Sequence, residues 1–235
     1  MYGNYRIKPP FFEIGPKCIM WGERFLKLAK AVDRIAYRYD LDVILTPQYT
    51  DIRLIAENTE RVHVYAQHMD PLRPGRGLGS VLPEAVKDAG AVGVMLNHAE
   101  KKLTTEVIAE TVARADEVGL ATIVCADSFS EIKAVAAMHP NLIVAEPAEL
   151  IGTGKTSSLS YVTETISIVR KTDPRIMVLQ GAGISTPDDV RRVILAGAEA
   201  TGCTSGIIKN SDPEAMAEEM LFELRRSWDE VHNGK

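Results

Sequence analysis

Cysteine is scarce in this chain. Three stand among 235 residues, Cys18, Cys125 and Cys203, far apart and without CxxC spacing. That spacing excludes a disulfide framework and a cysteine-built zinc site, and it fits a reducing, cytoplasmic compartment. Long apolar runs are missing too. None approaches the roughly 18 residues a membrane span requires, and the polar start Met1-Tyr2-Gly3-Asn4-Tyr5-Arg6 does not read as a secretory leader. Positive charge is not in excess: 27 Lys and Arg stand against 32 Asp and Glu, a net charge of -5, which argues against nucleic acid as a partner. Also absent are a Pro/Gly/Ser-rich linker and a dinucleotide fingerprint after the first apolar run, where Gly15-Pro16-Lys17 stands instead. The expectation is one domain spanning 1–235, without a metal or cofactor.

What is present is ordinary globular material, 46% apolar and 25% charged. β-rich runs lie at 11–14, 42–46, 62–66, 92–96, 121–125, 142–145, 176–179 and 200–204. Between them fall helical periods such as Phe25-Leu28-Ala29-Val32-Ile35-Ala36 and Val107-Ile108-Thr111-Val112-Ala115, apolar on one face. Thr104-Thr105-Glu106 and Thr186-Pro187-Asp188-Asp189 read as helix starts, while Gly119 and Gly197 sit where helices should end. Eight βα units in a chain of this length match an α/β fold of the (β/α)8 barrel type, typically about 250 residues. A doubly wound open sheet is the competitor, and it would carry fewer strands and the missing fingerprint.

A closed barrel gathers the C-terminal ends of its strands around one mouth. Lys17 follows the first run, Asn97-His98-Ala99-Glu100 the fourth, Glu146 the sixth, Gly181-Ala182-Gly183 the seventh and Thr204-Ser205-Gly206 the eighth. Directly after Glu146, Pro147 stiffens a loop, Leu150 and Ile151 supply an apolar flap, and Gly152 and Gly154 let backbone N–H groups approach an anion. A carboxylate under such a lid can take a proton α to a carbonyl, while a neutral imidazole and an ammonium stabilise the resulting enediolate. Glycine-rich ends of the last two strands suit a phosphate. The chemistry is that of an aldose–ketose isomerase acting on a small sugar phosphate.

Each residue alone has a plainer reading: a strand-end glutamate as a helix cap, a histidine as structural, a lysine as a solvated loop residue. His63, His68, His139 and His232 are read as structural or exposed. Gly154-Lys155-Thr156 also mimics the end of a nucleotide-binding loop, but Glu149 stands where that loop needs its first glycine.

Several motifs carry a family likeness. Ala66-Gln67-His68-Met69-Asp70, Gly75, Gly79, Leu82-Pro83-Glu84-Ala85-Val86-Lys87, Leu96-Asn97-His98-Ala99-Glu100, the segment 146–154 and Gly181-Ala182-Gly183-Ile184-Ser185 together resemble triosephosphate isomerase, most of all its short archaeal-type form. The likeness runs from about Pro10 to Asp212 and implies a homodimer or homotetramer with a place in glycolysis and gluconeogenesis. It implies Glu146 as base and His98 as neutral electrophile, roles that belong to the family rather than to a deduction from these residues. It also implies Glu100 behind them, phosphate contacts from Ile151, Gly152, Gly183, Thr204 and Ser205, and a buried thiol at Cys125.

The departures concentrate on the first loop, where the family reads Asn-x-Lys and this chain reads Gly15-Pro16-Lys17. Aligned without a gap, Lys17 takes the lysine's place as charge stabiliser and Gly15 the asparagine's beside the substrate. A shifted register instead puts Glu13 and Gly15 there. Leu78 replaces a threonine, Ala99 a serine and Ala148 a proline. Glyceraldehyde 3-phosphate and dihydroxyacetone phosphate are the default substrates. Room left by the missing asparagine suggests a tetrulose phosphate as an alternative, and loss of that side chain keeps open a family member that binds a sugar phosphate without turning it over.

Overall fold

In the computed structural model, which describes residues 1–4, 7–151, 153 and 156–232, the apolar runs become eight parallel strands. They are β1 Phe11–Ile14, β2 Asp42–Leu45, β3 His63–Ala66, β4 Gly93–Leu96, β5 Ala121–Ala126, β6 Leu142–Ala145, β7 Met177–Gln180 and β8 Ala200–Gly202. Their hydrogen-bonded order follows the chain, and β1 closes on β8 through Phe11↔Ala200 and Glu13↔Gly202. The result is a closed (β/α)8 barrel. The helices are α1 Gly22–Tyr39, α2 Ile52–Ala56, α3 Pro83–Asp88, α4 Thr105–Val118, α5 Phe129–Ala136, α6 Leu159–Thr172, α7 Pro187–Leu195, α8 Ser205–Ile208 and α9 Pro213–His232.

Strand alternation sorts the apolar residues into two cores. Phe12 and Ile14 face outward into the layer shared with Phe25, Val32 and Leu221, whereas Phe11 faces inward with Ile44, Tyr65, Ile123, Leu142, Leu179 and Ala200. The inner core is closely fitted. A Cβ on Gly93 would lie 2.1 Å from Tyr65 Cε1, so the Tyr65 ring occupies the space of the side chain that β4 omits.

Local chemistry ends the helices where the sequence suggests. Thr104 accepts from Val107 N–H at 3.3 Å, Thr186 and Asp189 form a reciprocal capping box, and Gly119 takes the left-handed conformation at φ 76°. These stops set the length of each βα unit and hence which residues reach the mouth.

Candidate active site

A cavity of about 680 Å³ opens at the C-terminal ends of the strands. Its lining includes Gly15, Lys17, His98, Glu100, Glu146, Ile151, Gly183, Thr204 and Ser205, so the expected site residues meet in one place. Gly152, with Gly154 and Lys155 of the same loop, lies outside the described residues.

Glu146 follows β6 and is anchored by its own N–H to the Ala126 carbonyl at 3.0 Å. Its Oε1 accepts from Ala182 N–H at 2.9 Å. Burial raises the carboxyl above its ordinary range, the Ala182 N–H and Lys17 pull it back, and Glu100 raises it further. A carboxylate whose pKa is raised holds a proton more firmly than an ordinary one. Gly181 keeps the space free: a Cβ there would come within 3.2 Å of Glu146 Cδ.

His98 rides on a loop clamped by buried Asn97. That side chain donates to Cys125 O and Glu131 Oε1, each at 2.8 Å, and accepts from Leu103 N–H at 2.9 Å. Glu100 N–H donates to His98 Nδ1 at 3.1 Å. An N–H can only donate, so Nδ1 accepts and the neutral ring carries its proton on Nε2. Burial first, then Lys17, lowers its pKa, with Glu100 opposing, which favours that neutral form.

Lys17 has a left-handed backbone, φ 48°, stabilised by Gln48 and Gln67 side-chain amides that donate to its carbonyl at 2.6 and 3.3 Å. Its ammonium pairs with Glu100 Oε1 at 3.0 Å. The ungapped register therefore puts a cation in the cavity, and Glu100 lowers the net charge it offers. Beyond the ends of β7 and β8, Ala182 and Gly183 are both left-handed, with φ 65° and 71°, and α8 begins at Ser205. Lys209 lines the same side, although the strand-end reading missed it. Its signal was the i,i+4 spacing from Ser205, whose carbonyl its N–H reaches at 3.1 Å.

Position 13 corrects the expectation of an empty space beside Gly15. The Glu13 carboxyl fills it, with Oε1 accepting from Thr46 Oγ1 at 2.8 Å. Gln48, Gln67 and Thr46 were absent from the expected site, and Glu13 entered it only through the shifted register, because their places depend on the registers β1↔β2 and β2↔β3.

A family model described as triosephosphate isomerase matches residues 17–219. Relatives named triosephosphate isomerase agree with it. The one from Sulfurisphaera tokodaii is 35% identical over 228 residues, 95% of this chain and 99% of the relative. That from Methanobacterium bryantii is 39% identical over 196 residues, 82% and 86% of the two chains, and that from Methanocaldococcus jannaschii is 36% identical over 203, 85% and 92%. The chain belongs to the triosephosphate isomerase family.

The other histidines of this family member have structural partners. His63 meets Asp42 at 3.2 Å, His68 meets Asp70 at 3.2 Å, His139 meets Asp173 at 2.8 Å, and His232 stacks on Trp228. Cys125 is buried at the cavity wall, and burial pushes its thiol well up. Among the described residues, no group of three His, Cys, Asp or Glu is arranged to hold a metal ion.

Proposed function

We propose that the chain interconverts the aldose and ketose forms of a small sugar phosphate, with glyceraldehyde 3-phosphate and dihydroxyacetone phosphate as the pair. The observation that carries this is the single cavity shared by Glu146, His98 and Lys17. The Glu146 carboxylate takes the proton α to the carbonyl and returns it to the neighbouring carbon. His98, from Nε2–H, donates to the oxygen that gains charge and allows the proton to move between the two oxygens. Lys17 offsets the negative charge of phosphate and enediolate, tuned by Glu100. The phosphate rests against Ile151, Gly183, Thr204 and Ser205, where backbone N–H groups and hydroxyls offer donors.

The tetrulose alternative loses its support, because the room it needed beside Gly15 holds the Glu13 carboxyl. A binder without turnover has no need of a buried base held by Ala182 N–H. Further observations support the wider reading. Fully exposed Leu78 favours association into a homodimer or homotetramer. Three unpaired cysteines suit a cytoplasmic protein, the negative net charge disfavours nucleic acid, and no helix among the described residues is long and apolar enough to cross a membrane. A kinetic panel of three-, four- and five-carbon sugar phosphates tests the substrate: the triose pair should give the highest kcat/KM, and a four-carbon preference contradicts the assignment.

A further inference from the structure

The isomerase chemistry leaves one carboxyl at the mouth unused. The Glu13 carboxyl occupies space that side chains on its glycine neighbours would need. A Cβ on Gly15 would lie 2.9 Å from Glu13 Oε1 and 2.9 Å from Thr46 Oγ1, and one on Gly202 would lie 3.0 Å from Glu13 Oε2. Positions 13 and 15 are therefore a matched pair. Glycine removes a polar side chain from the mouth, and glutamate, one inward layer below, raises another into its space. Thr46 engages Oε1, and among the described residues no hydrogen bond reaches Oε2. Glu13 is 9% exposed and lines the cavity with Glu146, His98 and Lys17. An ionisable group buried in a barrel interior is costly unless it is paired or used.

Resting on the isomerase reading of this cavity, we propose that Glu13 is a further substrate-contacting residue, whose carboxyl stands in for a side chain at position 15 and hydrogen-bonds the oxygen that gains charge during proton abstraction. Burial pushes this carboxyl up to about 7, the Thr46 hydroxyl pulls it back, Glu146 raises it and Lys17 lowers it. The other groups around it are Cys125 from β5 and Cys203 after β8, both held un-ionised by burial, while His98 and Glu100 face the cavity from the end of β4. Below about 7 Glu13 donates to a developing negative charge. Above that pH it is a second anion beside Glu146, so affinity for an anionic reacting end falls as pH rises.

The test uses 2-phosphoglycolate, a two-carbon phosphate ester whose carboxylate mimics the enediolate, in a Glu146→Gln background where the base no longer titrates. Calorimetry on either side of neutral pH should show affinity falling toward about tenfold per pH unit above the midpoint, and levelling once Glu13→Gln is added. The ligand phosphate titrates identically in both proteins. Curves that superimpose, including joint failure to bind, overturn the proposal. If the double variant does not fold, Thr46→Val replaces it: loss of the hydroxyl donor moves the midpoint to higher pH, and an unmoved midpoint overturns the proposal. Failure of the isomerase reading is seen separately, as absent deuterium wash-in by the wild type while the binding curves still diverge.

Discussion

Two carboxyls buried in the cavity and two paired at the other end of the barrel are treated in opposite ways, while Glu100 at the rim of the mouth, paired with Lys17, is lowered like the latter two. At the C-terminal mouth, burial holds Glu13 and Glu146 above the ordinary range, and what opposes it is a hydroxyl, one backbone N–H and a lysine shared with Glu100. At the N-terminal end, Asp42 and Asp173 are held below it. Burial works against Asp42, yet His63 and the Lys8 N–H outweigh it; Arg175 leads at Asp173, with burial opposing and His139 assisting. A raised carboxyl is one the fold prefers protonated, whereas a lowered one is welcomed as a charge. Glu13 and Glu146 are thus held ready to carry a proton at some cost to stability, as the proposed isomerisation requires, whereas Asp42 and Asp173 are held as charges by their partners.

Substitutions at the two ends should separate activity from stability. Glu146→Gln has the largest expected effect, a loss of about 10²–10⁴-fold in kcat with the melting temperature held or raised, measured by coupled assay and calorimetry. His98→Gln follows, with a loss of about 10²–10³-fold in kcat as the Nε2–H donor is displaced. For Glu13 the folded pKa is raised, so its favourable contribution is complete below the unfolded value of 4.5 and is lost as pH rises to about 7. Glu13→Gln should therefore gain stability at pH 8, by at most about 3 kcal/mol, and gain nothing near pH 4. Equal denaturant midpoints at both pH values would erase the contrast between the ends. Asp173→Asn has the opposite sign: about 1–3 kcal/mol of stability is lost at neutral pH with kcat unchanged. Because this folded pKa is lowered, the difference should fade as pH falls below the ordinary 3.8. Urea unfolding at the two pH values measures it.

The fold was legible wherever the signal is local. The eight apolar runs become eight strands with ends moved by at most two residues, and the caps at Thr104 and Thr186 act as their sequences suggest. Glu146 and His98 were legible because each directly follows a strand and strand ends converge in a barrel. What was hidden depends on registers between distant segments. Glu13, Gly15, Thr46 and Gly202 come together only once β1 has paired with both β2 and β8, so the missing asparagine read as empty space. Gly93 carries no local signal of its role, because the Tyr65 ring meets it only across the β3–β4 pair. The Lys17–Glu100 pair, 83 positions apart, was likewise out of reach.

The claim that the mouth performs proton abstraction is tested most directly by solvent deuterium wash-in. Triose phosphate incubated with the wild type in deuterium oxide should gain label at the carbon next to the carbonyl, and Glu146→Gln should abolish that gain while 2-phosphoglycolate still binds. Label entering at equal rates with both proteins, or with neither, contradicts Glu146 as the base.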